Sequence, residues 1–173
     1  MSILDRIFSD IKANQKSGFL TCLFLINYRL GHWLMLYRRK RSAAFILFPF
    51  YAVLLFFSRI LSAMGGCSIP FSCALGQEVV FQHGLNGIFI SGLAKVGDRC
   101  TILHQVTIGS NFGSTRQRAA PELESGVFVG AGAKIIGGGV VGKNSKVGAN
   151  ALVIENVPEG ACCLAPKCVI VGN

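Results

Sequence analysis

The chain is poor in charge and poorer still in acid. Only 14% of its 173 residues are charged and only 8 are Asp or Glu. It holds no Gly-x-Ser-x-Gly, no P-loop and no His-Glu-x-x-His, which removes support for the common hydrolase, NTPase and zinc-protease readings. Its 7 cysteines, an odd number, include no C-x-x-C pair, and no secretory signal with a cleavage site is present. A reduced, cytoplasmic protein without a metal is the expectation.

What is abundant is apolar. Hydrophobic residues make up 51% of the chain, more than a lone soluble monomer needs, which implies an oligomer interface or contact with a membrane surface. The net charge is +9, and Arg38-Arg39-Lys40-Arg41 concentrates it between two apolar stretches. No basic stripe interleaved with aromatics runs through the rest. That pattern fits lipid headgroups and not nucleic acid.

Residues 1 to 64 read as helical. Phe19 to Tyr37 and Ala43 to Met64 are apolar on most faces, with Ser9-Asp10 and Ser17-Gly18 as cap or turn signals and Gly65-Gly66 as the hinge out. The uncharged run from Ser42 to Ser58 is marginal for a span of about 20 residues, and Pro49 weakens it. Helices in the membrane interface, helices packed on their own oligomer and a transmembrane pass are the three readings of this half. His32, on the apolar first stretch, reads as a packed histidine.

From Ile69 the period changes to six. Val129, Ile135, Val141, Val147 and Val153 repeat without error, each followed four positions on by a small or slim residue: Ala133, Gly139, Ser145, Ala151 and Val157. Ile90, Val96, Ile102 and Ile108 form a second run, and Ile69, Leu75 and Phe81 a third. Each hexad is one short strand and turn, and three hexads close a triangular coil whose aliphatic residues stack inward. Glycine follows the aliphatic residue at 76, 97, 109, 130, 142 and 148, which is read as permitting the corner. The division expected is a helical region at 1–66 and a β-helix at 67–173.

Two insertions break the register, and insertions in a solenoid map to functional loops. One of three residues falls in His83-Gly84-Leu85-Asn86-Gly87. The other, of nine, lies within Gly109 to Glu122 and holds Arg116 and Arg118. Counting eighteen residues per coil through both insertions stacks His83, His104, Ala131 and Ala149 on one line. Two histidines then head a groove floored by alanines, suited to a long thin thioester with its reactive end at the imidazoles. A neutral imidazole with a pKa near 6.5 takes a hydroxyl proton at neutral pH, worth roughly 10²- to 10⁴-fold in rate. His83 is the candidate base, and His104 is either a supporting residue or an exposed turn.

These residues resemble the hexapeptide-repeat acyltransferases, in their serine acetyltransferase-like branch. The resemblance covers about Ile26 to Gly172 and rests on Asn27-Tyr28-Arg29-Leu30-Gly31-His32-Trp33, Phe81-Gln82-His83-Gly84, Val106-Thr107-Ile108-Gly109, Val129-Gly130-Ala131-Gly132-Ala133-Lys134 and Leu164-Ala165-Pro166-Lys167. It implies a left-handed parallel β-helix behind a small helical region, a homotrimer with active sites between subunits, acetyl-CoA as donor, and His83 as general base for direct transfer to a hydroxyl. It places the donor along Gly109, Ser110, Ala131, Lys146 and Ala149.

The chain departs from serine acetyltransferases at three points. The acidic residue expected before the histidine is Gln82, the Arg-His pair before a proline is Ala119-Ala120 before Pro121, and the orienting aspartate aligns with Ser68. An amino-acid acceptor needs a cation for its carboxylate and an anion for its ammonium, whereas Gln82 suits neutral sugar hydroxyls. The pattern looks similar to capsule, exopolysaccharide and O-antigen O-acetyltransferases. A small-molecule or lipid-linked saccharide acceptor at the inner face of the cell membrane is therefore expected first. Serine O-acetylation for cysteine biosynthesis is second, and a non-catalytic β-helix scaffold third.

Overall fold

The computed structural model describes residues 2–40, 47–111 and 119–167. Arg41, Arg116, Arg118 and Cys168 lie outside them. Three helices come first: α1 (Ile3–Ala13), α2 (Phe19–Lys40) and α3 (Phe48–Gly65). Helix α1 opens on a capping box in which the Ser2 hydroxyl accepts the Asp5 N–H and the Asp5 carboxylate accepts the Ser2 N–H. Asp10, read as a turn signal, lies inside α1 and is buried. Ser17-Gly18 does form the turn into α2, and α3 ends at Gly66 in the left-handed conformation (φ 58°). Pro49 sits in the first turn of α3, where its missing N–H costs nothing.

Thirteen short strands follow among the described residues, all parallel to their neighbours. The first coil is β1 (Ala74–Leu75), β2 (Val80–Leu85) and β3 (Phe89–Ile90), and the second is β4 (Lys95–Val96), β5 (Thr101–Ile102) and β6 (Thr107–Gly109). The third is β7 (Glu122–Leu123), β8 (Phe128–Val129) and β9 (Lys134–Ile136), and the fourth is β10 (Val140–Val141), β11 (Lys146–Val147) and β12 (Leu152–Val153), with β13 (Cys162–Cys163) beginning a fifth. They stack as three sheets, β1-β4-β7-β10, β2-β5-β8-β11-β13 and β3-β6-β9-β12. This is the expected left-handed parallel β-helix. Phe81, Ile102, Val129 and Val147 pair in register up one side, and Ile90, Ile108, Ile135 and Val153 up another. All eight are buried.

The glycine reading needs correcting. Gly76, Gly97, Gly130 and Gly142 do not carry positive φ. A Cβ on them would lie 2.4 to 2.7 Å from backbone of the next coil, so glycine is there because the coils approach too closely for a side chain. The left-handed corner falls two residues later, at Glu78, Arg99, Gly132 and Asn144.

The helices close the open end of the first coil through a buried polar seam. The Tyr28 hydroxyl donates to Cys73 O (2.6 Å), and the Arg29 guanidinium donates to Leu75 O (2.7 Å) and to Gly76 O. Arg29 Nε also meets Asp10 Oδ2 at 2.6 Å, with both residues at most 2% exposed. The second Asp10 oxygen accepts the Glu78 N–H (2.8 Å). His32 is half-buried, its ring stacked on Tyr28 and its Nδ1 2.6 Å from Phe71 O, which only accepts, so Nδ1 carries the proton. Helices α2 and α3 are both long and apolar enough to cross a bilayer. Helix α2 buries 44% of its apolar stretch but α3 only 11%, exposing Phe48, Phe50, Phe56, Phe57 and Met64.

Candidate active site

His83 lies in β2, past the two residues that pair with β5, where the three-residue insertion carries the chain outward. Gly84 (φ 72°) and Gly87 (φ 69°) make that excursion possible. The Gln105 N–H donates to Asn86 O and the Gly87 N–H to Gly66 O, so the loop is tied to the coil below and to the end of α3. His83 and Gln82 are exposed.

The stack counted from the hexads is the one observed. Phe81 faces Ile102, Ile102 faces Val129 and Val129 faces Val147, so His83, His104, Ala131 and Ala149, each two residues on, follow in order. The Gly132 N–H donates to His104 O, and the Asn150 N–H to Ala131 O. The rings of His83 and His104 meet edge to face at 5.4 Å between centroids. His104 Nδ1 is the one buried side-chain polar atom without a partner among the described residues. Lys134 Nζ, near this corner, donates to Gln105 O and Gly132 O.

Within one chain the candidate donor residues fall in two places. Ala131 and Ala149 lie below the histidines, and Lys146 opens β11 one turn back with its side chain exposed. Gly109 ends β6, with Ser110 beyond it, where the Gly137 N–H donates to Gly109 O and Ser110 Oγ meets Ser91 Oγ at 3.4 Å. The width of the sheet holding β6 and β9 separates that end from the histidine corner.

Beside His83 is a cavity of about 410 Å³ walled by Ser17 of the α1–α2 turn, by Leu20 and Thr21 in the first turn of α2, by Ala63 to Gly66 at the end of α3, and by Gly84 to Asn86. No charged side chain lines it. Ser68, where the resemblance puts an orienting aspartate, lines a different cavity with Met35, Tyr51 and Phe71. Sequence reasoning missed the helical wall, because nothing in the period of six refers to it. No cysteine lines this cavity, and burial pushes the Cys67 thiol up to about 11 and the Cys73 thiol up to about 12. No group of metal-ligating side chains occurs among the described residues.

The chain is 33% identical over 169 residues to the serine acetyltransferase of Helicobacter pylori (strain ATCC 700392 / 26695), covering 95% of this chain and 91% of that one. The chain belongs to the serine acetyltransferase family. No family model matches it. Among solved structures, the Neisseria gonorrhoeae serine acetyltransferase in complex with serine superposes with a TM-score of 0.75 at 26% identity, covering 95% of this chain and 67% of that one. A serine acetyltransferase in complex with CoA superposes at 0.74 with 26% identity, covering 93% and 66%. The chain thus spans about two thirds of those longer proteins and nearly all of the Helicobacter one. It is an acyltransferase of this family.

The surface-polysaccharide acceptor expected from the sequence is overturned by this likeness. That reading rested on three lost charges, at Gln82, Ser68 and Ala119-Ala120. Ser68 lines a different cavity from the one beside His83, so its lost charge does not bear on that cavity. The scaffold reading falls with it.

Proposed function

We propose that the protein is an acetyl-CoA-dependent serine O-acetyltransferase in which His83 is the general base. The observation that carries this is the near full-length likeness to the Helicobacter enzyme, taken together with an exposed imidazole at the head of a strip of alanines. His83 accepts the proton of the serine hydroxyl as its oxygen bonds the thioester carbonyl, and returns that proton to sulfur as the carbon–sulfur bond breaks. His104 supports the His83 ring and Gln82 lines the approach. Ala131 and Ala149 leave room for the pantetheine arm, and the Lys146 ammonium suits the phosphates of CoA.

Gly109 and Ser110 of a neighbouring subunit complete the donor groove in a homotrimer. The exposed apolar residues Phe89, Leu152 and Ile154 on and beside the sheet of β3 and β12 supply its contact. The helical region (1–66) gives the acceptor wall and the coils (67–173) the base and groove, in a cytoplasmic enzyme that uses neither metal nor nucleic acid.

L-serine and acetyl-CoA presented to the purified protein should yield O-acetylserine with release of free CoA thiol. His83→Ala should lower that rate by about 10²- to 10⁴-fold with the trimer retained. An active His83→Ala trimer would remove His83 as base, and thioester turnover without O-acetylserine would remove serine as acceptor. The outer face of α3, following the basic segment, further supports peripheral contact with an anionic membrane surface. Co-sedimentation with phosphatidylserine vesicles, lost in Phe56→Ser/Phe57→Ser, checks it; absence of co-sedimentation rejects it.

A further inference from the structure

Strand β2, which carries His83, is an edge. It pairs with β5 on one side, and among the described residues no strand lies on the other. Its outward groups are Val79 O and the Phe81 N–H, both on buried residues, and an edge strand with buried unpaired groups does not hold its place. Both are met by one side chain. Asn14 Nδ2 donates to Val79 O at 2.8 Å, and Asn14 Oδ1 accepts the Phe81 N–H at 2.8 Å.

Those two bonds flank Val80 as a parallel neighbour's peptide groups would, taking the N–H of one residue and giving to the carbonyl two residues earlier. The amide of Asn14 thus stands in for the coil that the solenoid lacks at this end. Its remaining capacity is filled as well: Nδ2 donates to Asp10 O (3.0 Å) and Oδ1 accepts from Ser17 Oγ (3.3 Å). Asn14 is 0% exposed. Its backbone carbonyl accepts the Ser17 N–H (2.9 Å), starting the turn into α2, and Ser17 of that turn and Leu20 and Thr21 of the helix it leads into wall the His83 cavity.

We propose that Asn14 is a positioning residue for the transfer reaction, its side-chain amide fixing the edge of β2 and thereby the place of His83 against the α1–α2 wall. This rests on the reading of His83 as the base. The primary amide carries an N–H donor and an oxygen acceptor side by side on one planar group, and glutamine's extra methylene has no room in a site with no exposure. Leucine keeps asparagine's heavy-atom branching and loses both bonds, which frees the strand two residues before His83. Misplacement of a reacting group by about 1 Å costs on the order of 10²-fold.

Asn14→Leu should lower kcat by about 10- to 100-fold with KM for both substrates little changed, and should speed hydrogen exchange at the Phe81 amide in the full-length trimer. Tyr28→Phe is the control. It removes an equally buried hydrogen bond of the same seam, to Cys73, ten residues before His83, and should lower the unfolding midpoint while kcat stays at wild type. A folded Asn14→Leu enzyme with wild-type kcat would overturn the proposal, as would Tyr28→Phe with the same kcat loss. Should Asn14→Leu not fold, Asn14→Ser is read in the same assays; loss of the fold in both would make Asn14 a folding residue and overturn its positioning role. Activity that survives His83→Ala while Phe81 exchange still rises in Asn14→Leu would refute the base and leave the strand contact standing.

Discussion

The coils and the helices are held by opposite kinds of contact. In the coils each interaction has copies: the Ile102 that packs between Phe81 and Val129 is repeated as Ile108 between Ile90 and Ile135. The helices are attached by groups that occur once, Asp10, Asn14, Tyr28 and Arg29, each meeting a particular backbone atom of the first coil. A solenoid tolerates damage to one of many equivalent layers because its stability is a sum of neighbour terms. A single-copy polar seam does not, because removal of one partner strands another in a dry site.

The largest effect that separates the two is expected at Arg29. Arg29→Met keeps much of the buried stem and removes the guanidinium, leaving the Asp10 carboxylate 1% exposed without its cation and Leu75 O and Gly76 O without their donor. Breaking one side of a buried pair costs about 3–5 kcal/mol, read here from urea unfolding. Asp10→Asn added to Arg29→Met should recover part of that loss, since the charge is gone while an amide oxygen can still accept the Glu78 N–H. Equal losses in the single and double variants would mean that the seam is held by packing and not by charge.

The same contrast decides what the sequence made legible. The coil register is a property of neighbouring residues, so a period of six, interrupted by three and by nine, was enough to stack His83 on His104 and the alanines. Helix existence and the Ser17-Gly18 turn followed from local composition. What the helices touch did not, since Asn14 and Val79 are 65 residues apart and nothing in either segment names the other. Asp10 shows the cost of local reasoning: acid after serine looks like a cap, whereas its carboxylate serves Arg29 and Glu78. Gly76, Gly97, Gly130 and Gly142 were found for the wrong reason, because the close approach that requires them is between coils and leaves no mark on φ. The acceptor was misjudged in a similar way. Three missing charges outweighed a likeness spread over the chain, and the helical residues that wall the cavity beside His83, Ser17, Leu20, Thr21 and Ala63 to Gly66, lie outside the segments that carry the resemblance.

The smallest effect is expected inside the coils. Ile102→Val removes one methylene from a fully buried side chain in the middle of its column, which should cost about 0.5–1.5 kcal/mol. Ile135→Val, in the column of a different sheet and also buried, should cost the same within a few tenths of a kcal/mol. Neither should change kcat, because the ladder of backbone bonds holding β5 and β9 does not depend on the side chain's bulk. If Ile102→Val alone cost as much as Arg29→Met, the layers would not be equivalent. The column beneath His83 would then be a specific packing feature of the active corner, and Ile102, two residues from His104, would join Asn14 among the groups that place the imidazoles.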